Sequence, residues 1–198
     1  EDVDVSKEVE KSFKKSGIKI YKETKVTSIK KLKTKVKVNA KKGDNTQVLN
    51  ADIVLVATGV TGNIENIGLE KISVSTDQGA ITINEFNQTS VPNIYAIGDV
   101  SGPPWLAHLA SAQGHVAVEH AAGNTTHPVD YSNIPACTYC QPQVASLGMT
   151  EATAIDKGHQ IKVGKFEFRA SGKALATGDS TGFVKIIFDE TYGELLGC

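Results

Sequence analysis

Several features that define other protein classes are scarce or missing in this sequence of 198 residues. No apolar run approaches the ~20 residues of a membrane-spanning helix, so we predict no transmembrane segment and no membrane partner. The first residues, EDVDVSKEV, carry neither a basic start nor an apolar core, so no signal peptide is visible. With only three cysteines and no export signal, we expect a reducing compartment, either a bacterial cytoplasm or a mitochondrial matrix.

The two ends of the sequence also have an incomplete character. There is no initiating methionine, and the sequence stops in GELLGC, which has the pattern of an unfinished apolar strand. We therefore expect this chain to be a segment of a longer protein.

Charge is balanced overall but unevenly distributed. The chain has 21 basic and 22 acidic residues, with 40% hydrophobic and 22% charged residues, which is an ordinary globular composition. The first fifty residues contain 14 lysines, a distribution that could indicate nucleic-acid binding. The run KVTSIKKLKTKVKVNAKK alternates, however, and it contains no arginine or aromatic residue of the kind that stacks on bases. We interpret it as a solvated strand face and predict no nucleic-acid partner.

Hydrophobic periodicity predicts a mixed α/β fold in three zones. In the first zone, the apolar residues Val5, Val9 and Phe13 recur at every fourth position and indicate a helix. Gly17 is expected to end it. The strands predicted after it are Ile18–Tyr21, Lys25–Ile29 and Lys35–Ala40. The apolar run Asp52–Gly59 is typical of a buried α/β strand that leads the chain into a ligand crevice.

The second and third zones combine further strands with two helices. A helix over Trp105–Ala121 is closed by Gly123 and the asparagine after it. A shorter helix over Thr150–Lys157 begins with a Thr150 cap and ends at Gly158. The predicted strands are Ala80–Asn84, Asn93–Asp99, Ile134–Tyr139, Gln160–Phe168, Gly182–Phe188 and Glu194–Gly197.

The stretch YAIGDVSGPPWLAH, Tyr95–His108, places an acid after a strand and before a helix start that has no acid. Asp99 offers two carboxylate oxygens, which suit the hydroxyls of a sugar or polyol. The first turn of the predicted helix, Trp105-Leu106-Ala107-His108, leaves backbone N–H groups that can receive an anion or a polarised carbonyl. Together they predict a site for an elongated, polyhydroxylated cofactor with an electron-rich ring. The alternative is an ordinary turn in which Asp99 caps a neighbouring backbone.

The segment TSVPNIYAIGDVSGPPWLAHLASAQG resembles the second flavin-binding segment of the two-dinucleotide-domain disulfide oxidoreductases, and is most similar to the dihydrolipoamide dehydrogenase family. This resemblance implies that Asp99 binds the ribityl or phosphate side of FAD. It also implies that the backbone of the four residues from Trp105 to His108 contacts the pyrimidine edge of the flavin. N–H groups at a helix start would stabilise negative charge on a reduced flavin.

The resemblance extends over nearly the whole chain. TKVTSI resembles the strand whose valine, Val26, lines the adenine pocket of NAD, and ADIVLVATG resembles the segment in which Gly59 contacts NAD. The implied fold is α/β, with partial Rossmann-like FAD- and NAD(P)-binding domains followed by the first part of an α+β interface (dimerisation) domain. We divide the chain into 1–62, the C-terminal half of the NAD-binding domain, 63–129, the central segment of the FAD-binding domain, and 130–198, the N-terminal part of the interface domain.

Several parts of the family's machinery are absent from these residues. The redox cysteine pair spaced Cys-x4-Cys and both Gly-x-Gly-x-x-Gly phosphate loops are not in the sequence. The resemblance places the cysteine pair before the first residue, and a proton-shuttling His-Glu pair after the last. We therefore assign no catalytic residue to this chain and expect it to be inactive alone.

The resemblance implies the function of an FAD-dependent dihydrolipoyl dehydrogenase, which oxidises dihydrolipoamide with NAD as acceptor and contributes to cell redox homeostasis. The implied partners are a second copy of the same protein and the lipoyl domain of 2-oxo acid dehydrogenase complexes. Two alternatives stay open at this point. One is an NADPH-dependent reductase of the glutathione or mercuric type, and the other is a non-catalytic dimerisation or docking fragment.

Cys137 and Cys140 form a Cys-x-x-Cys motif. A redox centre would need a helix N-terminus to lower the thiol pKa, and a zinc site would need two further ligands. These cysteines instead lie in a predicted strand, in which residues three apart point to opposite faces. We interpret them as structural thiols and predict no metal site.

Overall fold

Four α-helices and ten β-strands form along the chain, and the computed structural model describes all residues from Glu1 to Cys198. The helices are α1 (Val3–Lys15), α2 (Ala107–Ala121), α3 (Glu151–Asp156) and α4 (Gly172–Thr177). The chain is organised in two units, one formed by Glu1–Glu8 with Val60–Cys198 and the other by Val9–Gly59. None of the helices has both the length and the apolar character needed to cross a membrane. The mixture of helices and strands confirms the predicted α/β class.

The smaller unit, Val9–Gly59, contains an antiparallel sheet in the order β1-β2-β3. Its strands are β1 (Lys25–Lys31), β2 (Val36–Lys42) and β3 (Asn45–Ala51). In β2 the predicted alternation is present, because Val38 and Ala40 are buried while Lys41 is exposed. β1 and β2 confirm the strands predicted here, whereas β3 was not predicted. The N–H of Gly17 donates to the carbonyl of Lys14, which confirms the predicted end of α1.

Two segments of the smaller unit that were predicted as strands are not strands. Ile18–Tyr21 and Asp52–Gly59 both have irregular backbone outside the sheet. Within the second segment, Ile53 is 86% exposed and Leu55 is 87% exposed. A buried parallel strand needs hydrogen-bonded neighbours along its edges, and none of the ten strands pairs with this run. The run therefore has the composition of a buried strand without the strands that would bury it.

The larger unit has a small core beside a short hairpin. The hairpin pairs β4 (Thr76–Asp77) with β5 (Ala80–Ile81) in antiparallel fashion. The side chains of Val74, Ile81 and Ala96 form a buried cluster. The strand predicted over Ala80–Asn84 is thus reduced to β5.

The strand predicted over Asn93–Asp99 does not form. Tyr95 makes one isolated bridge with Gln88, and Gly98–Ser101 forms a single 3-10 turn. No strand lies parallel to this segment, so its backbone groups bond to neighbouring loops instead; the N–H of Ala96, for example, donates to the carbonyl of Asn87. As in Asp52–Gly59, the apolar composition is typical of a strand, but no neighbouring strand is present to pair with the segment.

Helix α2 confirms the helix predicted over Trp105–Ala121, except that it begins two residues later. Its buried residues recur at helical spacing and form one face: Leu109, Gln113, Val116 and Ala117. The predicted end is confirmed, because the N–H of Gly123 donates to the carbonyl of His120. The buried face of α2 follows the 3.6-residue period.

The region after the 3-10 turn Tyr131–Asn133 is mainly antiparallel sheet. Its strands are β6 (Ala136–Thr138), β7 (Val144–Ser146), β8 (Ile161–Glu167), β9 (Phe183–Asp189) and β10 (Leu195–Gly197). β6 pairs with β7, and the larger sheet has the order β10-β9-β8. The last three strands confirm their predictions, β6 is shorter than predicted, and β7 and α4 were not predicted. The Thr150 hydroxyl accepts the N–H of Thr153, which confirms the predicted cap of α3.

A hydrogen bond joins His159 to the buried carboxylate of Asp189 in the larger unit. His159 Nδ1 lies 2.8 Å from Asp189 Oδ2, and Asp189 Oδ1 accepts the backbone N–H groups of Thr191 and Tyr192. The hydrogen bond from His159, followed by the one from Tyr192, lowers the pKa of Asp189 below its usual value of 3.8. A carboxyl whose pKa is lowered by folding stabilises the fold above its unfolded pKa, and this contribution is lost as the pH falls through the folded pKa.

We therefore expect D189N to lower the thermal unfolding midpoint at about pH 7 and to have a smaller effect at about pH 2, where a larger fraction of the native carboxyl is protonated. Thermal unfolding followed by circular dichroism at both pH values measures this. E190Q, an exposed carboxylate in the next position, is the control and should change neither midpoint. Equal destabilisation by D189N at the two pH values would contradict the assignment.

Candidate functional site

An open crevice of about 490 Å³ lies in the larger unit. It is lined by residues of three segments, 60–62, 77–83 and 99–105. Two of the residues predicted to bind a cofactor, Asp99 and Trp105, are among them. The structure thus brings the acid of the AIGD stretch and the aromatic residue before α2 to one concave surface.

The turn Gly98–Ser101 positions Asp99 at this crevice. It follows Ile97, whose backbone is extended, and its first residue, Gly98, has a φ of +71°. A Cβ on Gly98 would lie 3.3 Å from the Cβ of Ala110 on α2. Glycine is required here because the backbone is in the left-handed region and also passes close to the helix.

The carboxylate of Asp99 is available to a ligand. Its side chain is exposed, and it forms no hydrogen bond or ion pair within the chain. Its backbone carbonyl accepts the N–H of Gly102 at 3.3 Å, which closes the turn. The alternative that Asp99 caps a neighbouring backbone through its side chain is therefore not observed.

The start of α2 differs from the prediction by two residues. The helix begins at Ala107, and the N–H of Leu106 already donates to the carbonyl of Pro104. The N–H groups without a partner in the helix are consequently those of Ala107, His108 and Leu109 rather than those of Trp105 and Leu106. No acid lies in the first turn and no side chain caps it. The predicted anion-attracting character is therefore present, but further along the chain.

The side chains around the start of α2 have separate roles. Trp105 is 40% exposed at the crevice, whereas Leu109 is buried. The Nε2–H group of His108 donates a hydrogen bond of 2.8 Å to the carbonyl oxygen of Pro135. That bond uses one of the two ring nitrogens of His108, and the backbone N–H of His108 has no partner within the helix.

Val26 and Gly59, the residues predicted to contact NAD, belong to the smaller unit. Val26 pairs with Ala40 in the sheet and is 53% exposed. Gly59 has a φ of +123°, and a Cβ there would meet no atom within 4 Å. Neither residue is among those that line the crevice.

The crevice has a distinct chemical character. Its polar side chains include the carboxylates of Asp77 and Asp99 and the hydroxyls of Thr61, Thr82 and Ser101. No lysine, arginine or histidine lines it. Carboxylates and hydroxyls suit the hydroxyl groups of an uncharged polyol, whereas a diphosphate needs cationic groups or a helix N-terminus. The crevice lining therefore fits the polyol part of a ligand.

Gln113, which was not among the predicted site residues, bonds to the turn that carries Asp99. Its Oε1 accepts the N–H of Gly98 at 2.7 Å, and the residue as a whole is 3% exposed. The only signal in the sequence is a glutamine on the apolar side of a predicted helix, two turns after its start. Such a residue has to find buried hydrogen-bond partners.

The cysteines of the Cys-x-x-Cys motif are free thiols. Cys137 lies exposed on β6, and the thiol of Cys140 donates to the carbonyl of Pro142 at 3.0 Å. Cys140 therefore lies past the end of β6, whereas it was predicted to lie within a strand. The bond to Pro142 agrees with the structural role assigned to this thiol.

Residues 1–114 match the family described as "Pyridine nucleotide-disulphide oxidoreductase", and residues 134–198 match its dimerisation domain. The chain is 47% identical over 199 residues to a dihydrolipoyl dehydrogenase of Rhizobium etli and 50% identical over 199 residues to one of Mycobacterium leprae. It is covered completely in both comparisons but spans 41% and 43% of those relatives. It is also similar to a crystal structure of LpdA from Mycobacterium tuberculosis, with a TM-score of 0.89, 25% identity and coverage of 100% of this chain and 42% of that one. With its first 114 residues, more than half of its length, matched to the family, the chain belongs to the pyridine nucleotide-disulphide oxidoreductases.

Proposed function

We propose that this chain forms part of an FAD-dependent dihydrolipoyl dehydrogenase, which oxidises dihydrolipoamide with NAD as the acceptor. The observation that carries the proposal is the crevice at which the unbonded carboxylate of Asp99 and the ring of Trp105 meet, directly before the acid-free start of α2. The two relatives reported above are both dihydrolipoyl dehydrogenases, which favours this activity over the reductase and docking alternatives.

In this proposal the crevice receives the middle of the cofactor. Asp99 accepts hydrogen bonds from the ribityl hydroxyls, and Trp105 covers the apolar part of the ligand. The N–H groups of Ala107 and His108, at the uncapped start of α2, would stabilise negative charge on the pyrimidine edge of a bound flavin. FAD, when bound, supplies the two-electron redox chemistry. The pyrophosphate would be held outside the crevice, because no cationic residue lines it.

The rest of the chain has supporting roles. We assign 1–62 to the NAD-binding domain, with Val26 beside the adenine and Gly59 next to the dinucleotide, 63–129 to the FAD-binding domain and 130–198 to the interface domain. The chain does not supply the redox disulfide, since the sequence has no Cys-x4-Cys. Catalysis therefore requires groups outside these 198 residues.

An apolar face of the β8–β10 sheet supports a homodimer. Phe166 on β8 lies opposite Val184 on β9, and Phe188 lies opposite Leu195 on β10. These four side chains are all exposed, from 36% for Phe188 to 57% for Leu195. A second copy of the protein would cover them, since exposed apolar patches mark association surfaces. The lipoyl domain of 2-oxo acid dehydrogenase complexes is the proposed substrate-carrying partner, and a bacterial cytoplasm or mitochondrial matrix is the proposed compartment, where free thiols persist.

A chimera tests this function. In it, the present chain replaces the matched residues of the Rhizobium etli dihydrolipoyl dehydrogenase, to which it is 47% identical. We expect the chimera to oxidise NADH with lipoamide, and the isolated chain to show no such activity. A folded chimera that reduces glutathione disulfide with NADPH but does not turn over lipoamide would contradict the assigned substrate.

A further inference from the structure

The side chain of Gln113 connects three parts of the larger unit from the inside. Its Oε1 accepts the N–H of Gly98, and its Nε2 donates to the hydroxyl of Tyr131, both at 2.7 Å. The same Nε2 lies 3.5 Å from Ser101 Oγ, and that hydroxyl donates to the carbonyl of Gly98 at 2.7 Å. Both ends of the Gly98–Ser101 turn are therefore bonded to one amide on α2.

The position of Gln113 is itself well determined. The residue is 3% exposed, and its backbone carbonyl accepts a hydrogen bond from Asn87 Nδ2 at 3.2 Å. Asn87 is 1% exposed. Moving the Gln113 side chain would break its bonds to Gly98 and Tyr131 and leave its own buried amide without partners, which costs free energy. The Gln113 amide therefore holds the Gly98–Ser101 turn in a fixed position relative to α2.

Asp99 lies inside this turn but takes no part in the network. Its carboxylate is exposed at the crevice, and its backbone contact is with Gly102. We propose that Gln113 is a positioning residue, which sets the place of the Asp99 carboxylate and thereby the affinity of the crevice for FAD without touching the cofactor. This inference rests on the proposed function of the crevice.

The network requires an amide at this position. Oε1 must accept from Gly98 while Nε2 donates to Tyr131 and Ser101, and an amide offers both functions. Leucine has a similar volume and offers neither. Because Ser101 uses its proton for the carbonyl of Gly98, a carboxylate at position 113 would have no donor for the Ser101 oxygen.

A double-mutant cycle in the chimera separates positioning from general stability. We expect Q113L to raise the Kd for FAD about tenfold when Asp99 is present and less than about twofold in the D99N background. Y131F removes one acceptor of Nε2 and is expected to show the same pattern with a smaller effect. Q160L, an exposed glutamine far along the chain, is the matched control and should leave the Kd unchanged in both backgrounds.

A second readout uses the isolated chain without FAD. Hydrogen exchange at the Gly98 amide should accelerate in Q113L, because that N–H loses its acceptor, while exchange at Ala110 in α2 stays slow. An equal loss of FAD affinity in both backgrounds, or an unchanged Gly98 exchange rate, would overturn the positioning role. A folded chimera with both native residues that binds no FAD would instead contradict the proposed function, and the Gly98 exchange rate would then decide the positioning alone.

Discussion

Replacing Asp99 with asparagine is expected to weaken FAD binding to the chimera roughly 10- to 100-fold, the range for hydrogen bonds to a charged group. The native carboxylate is exposed at the crevice and bonds to nothing in the chain, so its full acceptor capacity is open to ribityl hydroxyls. Asparagine keeps the shape but replaces one acceptor oxygen with a donor and removes the charge. Titration of apoprotein with FAD, followed by flavin fluorescence, gives the Kd.

The control for this variant is D44N. Asp44 is a fully exposed carboxylate in the turn between β2 and β3, and its one ion pair, to Lys41, spans 3.5 Å. Both variants remove one negative charge, so a general electrostatic effect on FAD would appear in both. If D99N and D44N change the Kd equally, or if D99N leaves it unchanged, Asp99 does not bind the cofactor.

The second large effect is expected from Lys185, a buried cation on β9. Its side chain is 6% exposed, and its Nζ bonds to Asp2 at 2.7 Å, to Asp4 at 3.2 Å and to Glu151. The carboxylates of these three acids lie within 4.8 Å of one another, close enough to hold a metal ion, but the ammonium group is bonded to all three. Burial alone would lower the pKa of Lys185, yet the hydrogen bonds to Asp2, Glu151 and Asp4 outweigh it and raise the pKa above its usual value.

We expect K185M to destabilise the larger unit by about 3 kcal/mol, because removing one partner of a buried ion pair leaves the other charges uncompensated. For a protein of this size the thermal unfolding midpoint should fall by roughly 6–12 °C. Methionine keeps most of the apolar stem, so the change measures the loss of the charge rather than of packing. Thermal unfolding of the isolated chain provides the measurement.

K173M is the control for this substitution, since Lys173 lies exposed on α4 and its side chain forms no ion pair. Added Ca²⁺ or Mg²⁺ gives an internal check, because a cation that replaces the ammonium should restore part of the lost midpoint in K185M and leave the native chain unchanged. A midpoint within about 2 °C of the native one would show that the three acids do not need Lys185.

The elements that the sequence predicted correctly are those whose signal is local. Helix α2 has an apolar stripe and a glycine stop, and the strands β8 and β9 belong to an antiparallel sheet within the chain. The strand predictions for Asp52–Gly59 and Asn93–Asp99 were wrong for a different reason. Both segments have the composition of parallel strands, which form only beside neighbouring strands that this chain does not provide. Short elements such as β7 and α4 carry too few residues for a periodic signal.

The candidate site was predictable in part. Asp99 and Trp105 were identified from their positions around the strand end and helix start, and the structure places both at one crevice. The start of α2 was predicted two residues too early. The two prolines suggested that the helix begins directly after them, but the N–H of Leu106 instead donates to the carbonyl of Pro104 in a local turn. Gln113 could not be assigned from sequence, since its role depends on which turn folds against α2.

The central claim is that the crevice beside α2 is the flavin-binding part contributed by this chain, and titration of the apo-chimera with FAD tests it most directly. We expect saturation at one FAD per chain, with the flavin fluorescence changed on binding and the affinity reduced by D99N. A chimera that folds and dimerises but takes up no FAD, or one whose affinity is indifferent to Asp99, would contradict it.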